Sequence, residues 1–286
     1  MQGSFAPVIV EELDYLFIGD VPLKMRLFRP KGDGPFPAVV ECHGGGWCVG
    51  DRKNNDPINL AVAQHGILVA AIDFRMPPDA AYPTALADVN FATRWLKSNA
   101  DRFETRASMI GVMGSSSGGH LTLLSAMRPD DPRYLSLHRP GVTEDASVSF
   151  AVSLWPVICP QGRYQYLKGI PKSNAHPVLM EGIDRHDAFW GSEEAMAEGS
   201  PVCALERREI MRMPDVLYIQ NEQDNLHPRA DMDRFAAAYA REGGRIKTEL
   251  FQGSSYDFLR ADPEAAEAQR ALAILTGFIK QKASGA

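Results

Sequence analysis

Short apolar or β-branched runs alternate along the chain with longer stretches in which apolar residues recur at helical spacing. The runs at about 8–18, 23–29, 36–42, 67–73, 108–113, 148–155, 215–221 and 246–251 predict strands. Between and after them, 56–65, 84–99, 117–127, 229–242 and 263–281 predict helices. In the last of these, Ala271, Leu272, Ile274, Leu275, Phe278 and Ile279 form one apolar stripe, which core packing explains. The alternation predicts an α/β fold, a mostly parallel sheet with helices on both faces. The first two strands lie too close together for a crossover and predict a hairpin, hence an antiparallel edge.

One stretch breaks the rhythm. From Pro156 to about Arg212 the chain carries Pro, Gly, His and charged residues without a clean strand, then resumes with Pro214-Asp215-Val216-Leu217-Tyr218-Ile219. That is too long for a connecting loop in a compact domain, so an inserted cap is expected at about 156–212 of a single domain. No internal repeat is visible, and only the tail Lys282-Ala283-Ser284-Gly285-Ala286 looks frayed.

Composition narrows the function without choosing it. The chain has 286 residues, 45% hydrophobic and 23% charged, with 30 Lys+Arg against 36 Asp+Glu and a net charge of −6. No basic surface offers itself to a polyphosphate backbone, so nucleic acid is not expected as a partner. The N-terminus lacks the basic and apolar regions of a signal peptide, and no stretch is long and apolar enough to span a membrane, so a cytoplasmic protein without a membrane partner is expected. Cys42, Cys48, Cys159 and Cys203 lack ligand spacing and read as free thiols, with no metal and no cofactor implied.

The chemistry lies in two glycine-rich turns. After the strand Ser108-Met109-Ile110-Gly111-Val112-Met113 comes Gly114-Ser115-Ser116-Ser117-Gly118-Gly119-His120-Leu121, opening a helix. Of the three adjacent serines only Ser116 has glycine at both −2 and +2, as a nucleophile elbow requires. At the end of the strand Pro37-Ala38-Val39-Val40-Glu41-Cys42 stands His43-Gly44-Gly45-Gly46-Trp47. The N–H groups of Gly45 and Gly46, with that of Ser117, are the expected oxyanion donors. Neither a phosphate-loop nor a dinucleotide pattern fits the glycines, because no Gly-Lys-Ser/Thr follows and the last required glycine falls on Val49.

With these motifs the sequence resembles the α/β-hydrolase fold, specifically the hormone-sensitive-lipase-like and feruloyl-esterase-like carboxylesterases. The likeness extends through Asp73-Phe74-Arg75, Tyr82-Pro83-Thr84-Ala85-Leu86-Ala87-Asp88, Arg94-Trp95-Leu96, Phe189-Trp190-Gly191, Ser200-Pro201 and Gln220-Asn221-Glu222-Gln223-Asp224. It implies that Asp224 is the acid member of the triad. Only 42 residues precede His43, so the separate N-terminal cap of larger relatives is not expected.

The resemblance fails at the base. The family's histidine follows the last strand in a run like Phe-Pro-Gly-x-x-His-Gly-Phe. Here that run is Phe251-Gln252-Gly253-Ser254-Ser255-Tyr256-Asp257-Phe258. A phenol titrating near ~10 is a poor proton acceptor at neutral pH beside an imidazole near ~6.5. Among the seven histidines, His43 reads as part of the oxyanion loop and His120 as pointing away along the elbow helix, while His176 and His186 fall in the expected cap. The candidate for a substitute base is His227, three residues after Asp224, although it reads first as an ordinary loop histidine because both side chains would have to reorient for a relay.

The expected function is therefore a carboxylesterase-like serine hydrolase acting on a small hydrophobic ester or related acyl compound, with an atypical Ser116-Asp224-Tyr256 site. The alternatives are a non-hydrolytic lyase, cyclase or retro-aldol type of enzyme in the same oxyanion pocket, with Tyr256 as proton donor, and a ligand-binding pseudoenzyme. Trp47, Trp155 and Trp190 occur at loop or strand ends and are expected to line an apolar substrate pocket. The partner is a small-molecule substrate, and a homodimer is compatible with the sequence.

Overall fold

A computed structural model describes residues 6–171, 177–252 and 255–285. Among the described residues eight strands form one sheet: β1 (Val8–Ile18), β2 (Val21–Pro30), β3 (Ala38–Cys42), β4 (Leu68–Ile72), β5 (Ile110–Ser115), β6 (Phe150–Leu154), β7 (Asp215–Asn221) and β8 (Ile246–Phe251). Their spatial order is β1-β2-β4-β3-β5-β6-β7-β8. β1 and β2 form the expected hairpin, β2 also runs antiparallel to β4, and all later pairings are parallel.

The helices are α1 (Asp56–Gln64), α2 (Thr84–Ser98), α3 (Ser117–Met127), α4 (Pro160–Gly169), α5 (Pro177–Trp190), α6 (Glu193–Glu198), α7 (Pro201–Glu206), α8 (Arg229–Arg241), α9 (Phe258–Ala261) and α10 (Ala266–Ser284). Every residue of β3 to β7 is buried, as strands covered on both faces must be. Two apolar layers result. One sets α2 and α3 residues such as Leu86, Trp95 and Leu124 against the sheet, and the other sets α1 and α10 residues such as Val62, Leu272 and Leu275 against its opposite face.

From β3 the chain crosses to β4 on one side and then returns to place β5 on the other. The carboxyl ends of β3 and β5 thus flank the point where strand order reverses, where open α/β sheets leave a crevice. Both glycine-rich turns leave the sheet there. The 156–212 stretch contains α4 to α7, with no strand among its described residues. No described helix is long and apolar enough to cross a membrane.

Candidate active site

β5 ends at Ser115, and Ser116 holds φ 51° and ψ −121° before α3 begins. A non-glycine residue in that region is strained, and two hydrogen bonds to the end of β6 hold it there. The Ser116 N–H donates to the Leu154 carbonyl at 2.9 Å, and the Ser116 carbonyl accepts from the Val157 N–H at 3.0 Å. The flanking glycines are required by backbone approach. A Cβ on Gly118 would lie 2.1 Å from the Cys42 carbonyl oxygen, and one on Gly114 would lie 2.5 Å from that of Gly118. The same closeness brings the two turns together, since a Cβ on Gly44 would sit 3.2 Å from that of Ser116.

In the turn after β3, the carbonyl of Gly45 accepts from the N–H groups of Cys48 and Val49 at 3.3 Å, and Gly45 and Gly46 take φ values of 117° and 61°. Among the described residues, the N–H groups of Gly45, Gly46 and Ser117 have no hydrogen-bond acceptor. The ring of His43 stacks on Phe74 at 4.6 Å and its Nδ1–H donates to the Gly44 carbonyl, so this histidine shapes the turn.

The decisive contact comes from the loop after β7. His227 Nε2 lies 3.0 Å from Ser116 Oγ, and its Nδ1 lies 2.8 Å from Asp224 Oδ2. A carboxylate only accepts, so Nδ1 carries the proton of the neutral ring and Nε2 is the acceptor turned to the serine hydroxyl. The loop histidine read from sequence is thus corrected: no reorientation is needed. Asp224 Oδ1 accepts from the N–H groups of Leu226 and His227 at 2.8 and 3.0 Å, curling the loop so that residue 227 returns over residue 224. Burial raises the Asp224 pKa, but His227 and these two N–H donors outweigh it and hold the carboxyl below its ordinary range.

Residues that sequence reasoning missed clamp this loop. From α4, one turn apart, Arg163 Nε donates to the Leu226 carbonyl at 2.8 Å and the Tyr166 hydroxyl donates to that of Asn225 at 3.0 Å. From β7, Gln220 Nε2 donates to the His227 carbonyl at 2.7 Å. Their i, i+3 spacing on α4 was visible in the sequence, but nothing there named the loop they hold.

Tyr256 stands beside this relay and not within it. Its ring centroid is 5.7 Å from that of His227, and its hydroxyl bonds neither Ser116 nor Asp224. Burial and then the neighbouring Asp257 carboxylate raise its pKa, keeping the phenol neutral. Asp257 itself accepts from Ser255 Oγ and pairs with Arg260. The expected Ser116-Asp224-Tyr256 set is therefore corrected: the structure brings Ser116 and Asp224 together through His227.

A cleft of about 150 Å³ opens over Ser116, lined among others by Gly45, Asn55, Trp155, Tyr256 and Arg260. Its walls are mainly polar, which departs from the expected apolar pocket. Trp155 does line it, but Trp47 and Trp190 do not. Trp47 is fully buried, stacked on Phe189 at 5.4 Å, edge-on to Trp190 at 5.5 Å, and donates Nε1–H to His120 Nδ1 at 3.2 Å. These rings are consumed in packing α5 against the turn after β3. His120 completes the joint by donating Nε2–H to the Gly199 carbonyl at 2.8 Å, and burial pushes its pKa down to about 4. His186 is buried against Trp47 and does not overhang the cleft, while His176 lies outside the described residues.

A wider depression of about 690 Å³ lies elsewhere, between Met127–Arg133 and Glu209–Arg212. Arg128 and Arg133 are ion-paired there with Glu198, and no member of the relay reaches it. Among the described residues the four cysteines are free, and no group of three His, Cys, Asp or Glu side chains is arranged to hold a metal.

The BD-FAE family model matches residues 25–158, which span both glycine-rich turns. That match covers just under half of the chain, and the fold is that of the α/β-hydrolases. The chain is 26% identical over 257 residues to versiconal hemiacetal acetate esterase of Dothistroma septosporum, covering 88% of its own length and 76% of that protein. It is 27% identical over 225 residues to esterase LipC of Mycobacterium tuberculosis, covering 74% of its own length but only 51% of the relative. In three dimensions it superposes on a hyperthermophilic esterase of Pyrobaculum calidifontis with a TM-score of 0.79 at 23% identity, covering 97% of this chain and 85% of the other. At that identity the superposition speaks for the fold.

Proposed function

We propose that this hydrolase cleaves small carboxylic esters through an acyl-enzyme formed on Ser116, with His227 as general base and acid and Asp224 as the group that orients it. The observation that carries this reading is the continuous relay from Ser116 Oγ to His227 Nε2 at 3.0 Å and from His227 Nδ1 to Asp224 Oδ2 at 2.8 Å. Its parts fill the roles that acyl transfer needs on unrelated folds, so the position of the base in the chain is secondary to its geometry.

His227 takes the Ser116 proton as the hydroxyl attacks the ester carbonyl. The oxygen of the resulting tetrahedral species faces the unengaged N–H groups of Gly45, Gly46 and Ser117, which stabilise its charge without moving. His227 then protonates the departing alkoxide, and the same steps with water release the acid. Asp224, held ionised, keeps the ring in the tautomer this sequence demands.

The test compares wild type with Ser116→Ala and His227→Ala on p-nitrophenyl acetate and butyrate, alongside labelling by a fluorophosphonate. Both variants are expected to lose at least ~10⁴-fold in kcat, and the label is expected on Ser116 only. Wild-type turnover that survives His227→Ala would overturn the assignment. The Tyr256-centred and pseudoenzyme readings rest on a missing base, and an imidazole within hydrogen-bond reach of Ser116 supports the ester-hydrolase reading over them.

A further inference from the structure

Behind the nucleophile elbow lies a polar cluster that the relay does not use. Glu41, in the middle strand β3, is buried at 1% exposure with no cation paired to it among the described residues. Its two oxygens accept from Asn55 Nδ2 at 2.8 Å and Asn59 Nδ2 at 3.1 Å. Asn55 precedes α1 in the place of an N-cap, yet its side chain makes no capping bond. Instead Nδ2 also donates to Ser115 Oγ at 2.9 Å, beside the nucleophile.

This arrangement commits one end of the Asn55 amide and leaves the other open. Ionised Glu41 offers no proton, so in that state the amide nitrogen turns to Glu41, and Ser115 takes the second hydrogen. Oδ1 is left without a partner among the described residues, while Asn55 lines the same cleft as Ser116. An acceptor of fixed orientation therefore stands in the wall of the active-site cleft. A buried carboxylate balanced only by amides is a costly way to build a strand interior, and a glutamine there would let the amide take either orientation.

We propose that Asn55, held in this orientation by Glu41, is a specificity-determining residue that accepts a hydrogen bond from the substrate, so that the favoured esters carry a hydroxyl or N–H donor close to the scissile carbonyl. The inference rests on the ester-hydrolase reading above and deepens it. A site built around an acceptor discriminates against the analogue lacking the donor, because the acceptor is then left unpaired and desolvated.

The experiment measures kcat/KM by pH-stat for two matched pairs, methyl lactate against methyl propionate for the acyl side and glycerol monoacetate against propyl acetate for the alcohol side. Wild type is expected to favour the hydroxylated member of at least one pair by ~10-fold or more, mainly through KM. Asn55→Ala is expected to abolish that preference, and Glu41→Gln to reduce it by freeing the amide to turn, which keeps the test decisive if one variant fails to fold. Hydrolysis of all four esters without preference, or a preference unchanged in both variants, would overturn the inference and leave the esterase reading standing. Failure of wild type on every ester, with no phosphonate label on Ser116, would overturn both.

Discussion

Asp224 and His227 stand three residues apart on one loop, and both oxygens of the carboxylate are engaged there. Oδ2 takes the imidazole Nδ1–H while Oδ1 takes the backbone N–H groups of Leu226 and His227. The acid thus shapes the turn that brings the base back to it. Asp224→Asn is expected to lower kcat by about 10⁴, since an amide permits the wrong ring tautomer and weakens the turn. Steady-state kinetics on p-nitrophenyl butyrate check it, and a loss under tenfold would show that the carboxylate is dispensable.

Tyr256 gives a contrasting expectation. Tyr256→Phe is expected to hold kcat within about threefold of wild type, because the phenolic hydroxyl bonds neither Ser116 nor Asp224 and a neutral ring remains. Tyr256→His is expected to give no rise, since the serine already has an imidazole. A gain of ~100-fold in Tyr256→His would mean that the position after β8 is the better seat for the base.

Trp47 joins the turn after β3 to α5, so its removal combines a core cavity with a displaced oxyanion turn. Trp47→Ala is expected to destabilise the fold by about 3–5 kcal/mol in urea denaturation. Trp47→Phe, which keeps the stacking on Phe189 but not the bond to His120, is expected to lose less. Equal losses in the two variants would show that the indole N–H, not ring packing, dominates.

Glu41 makes stability depend on pH. Burial raises its pKa from 4.5 to about 7 against the lowering effect of its hydrogen bonds to Asn55 and Asn59. The folded state then holds a proton that the unfolded chain has released between these values, so this group's contribution is greatest below pH 4.5, falls as pH rises to about 7, and is constant above. A shift of that size corresponds to about 3 kcal/mol. Glu41→Gln removes the slope, and the Asn59 side-chain Oδ1, which has no hydrogen-bond partner among the described residues, becomes available to the new amide. The stability of Glu41→Gln relative to wild type is expected to rise between pH 5 and pH 8 in denaturation curves; a difference independent of pH would refute this.

The strand positions and both glycine-rich turns were legible because each rests on local pattern: β-branched runs for β3 and β5, and glycines where backbones meet. Ser116 and Asp224 followed from motif position. His227 was legible only as an alternative, since the chain's own last-strand loop drew attention to Tyr256. The informative signal was the Asp-x-x-His spacing, which an aspartate can close into a turn by accepting from the two N–H groups that follow. Trp47 and Trp190 were misread because an aromatic at a strand end fits a cleft wall or a packed joint equally well, and the packing of α5 decides between them. Glu41 lay hidden inside a buried strand whose other four residues are Ala, Val and Cys, where a single polar letter carries no sign of its partners in α1.

Placing acid and base on one loop changes how the site tolerates alteration. Tyr256 takes no proton in the proposed mechanism, so substitutions at that one position are expected to reshape the cleft wall while the chemistry stays constant. The loop after β7 bears the opposite burden: Arg163, Tyr166 and Gln220 grip a segment in which any slip displaces both partners at once. Substitutions in this protein are therefore expected to be graded at Tyr256 and all-or-none on the loop after β7.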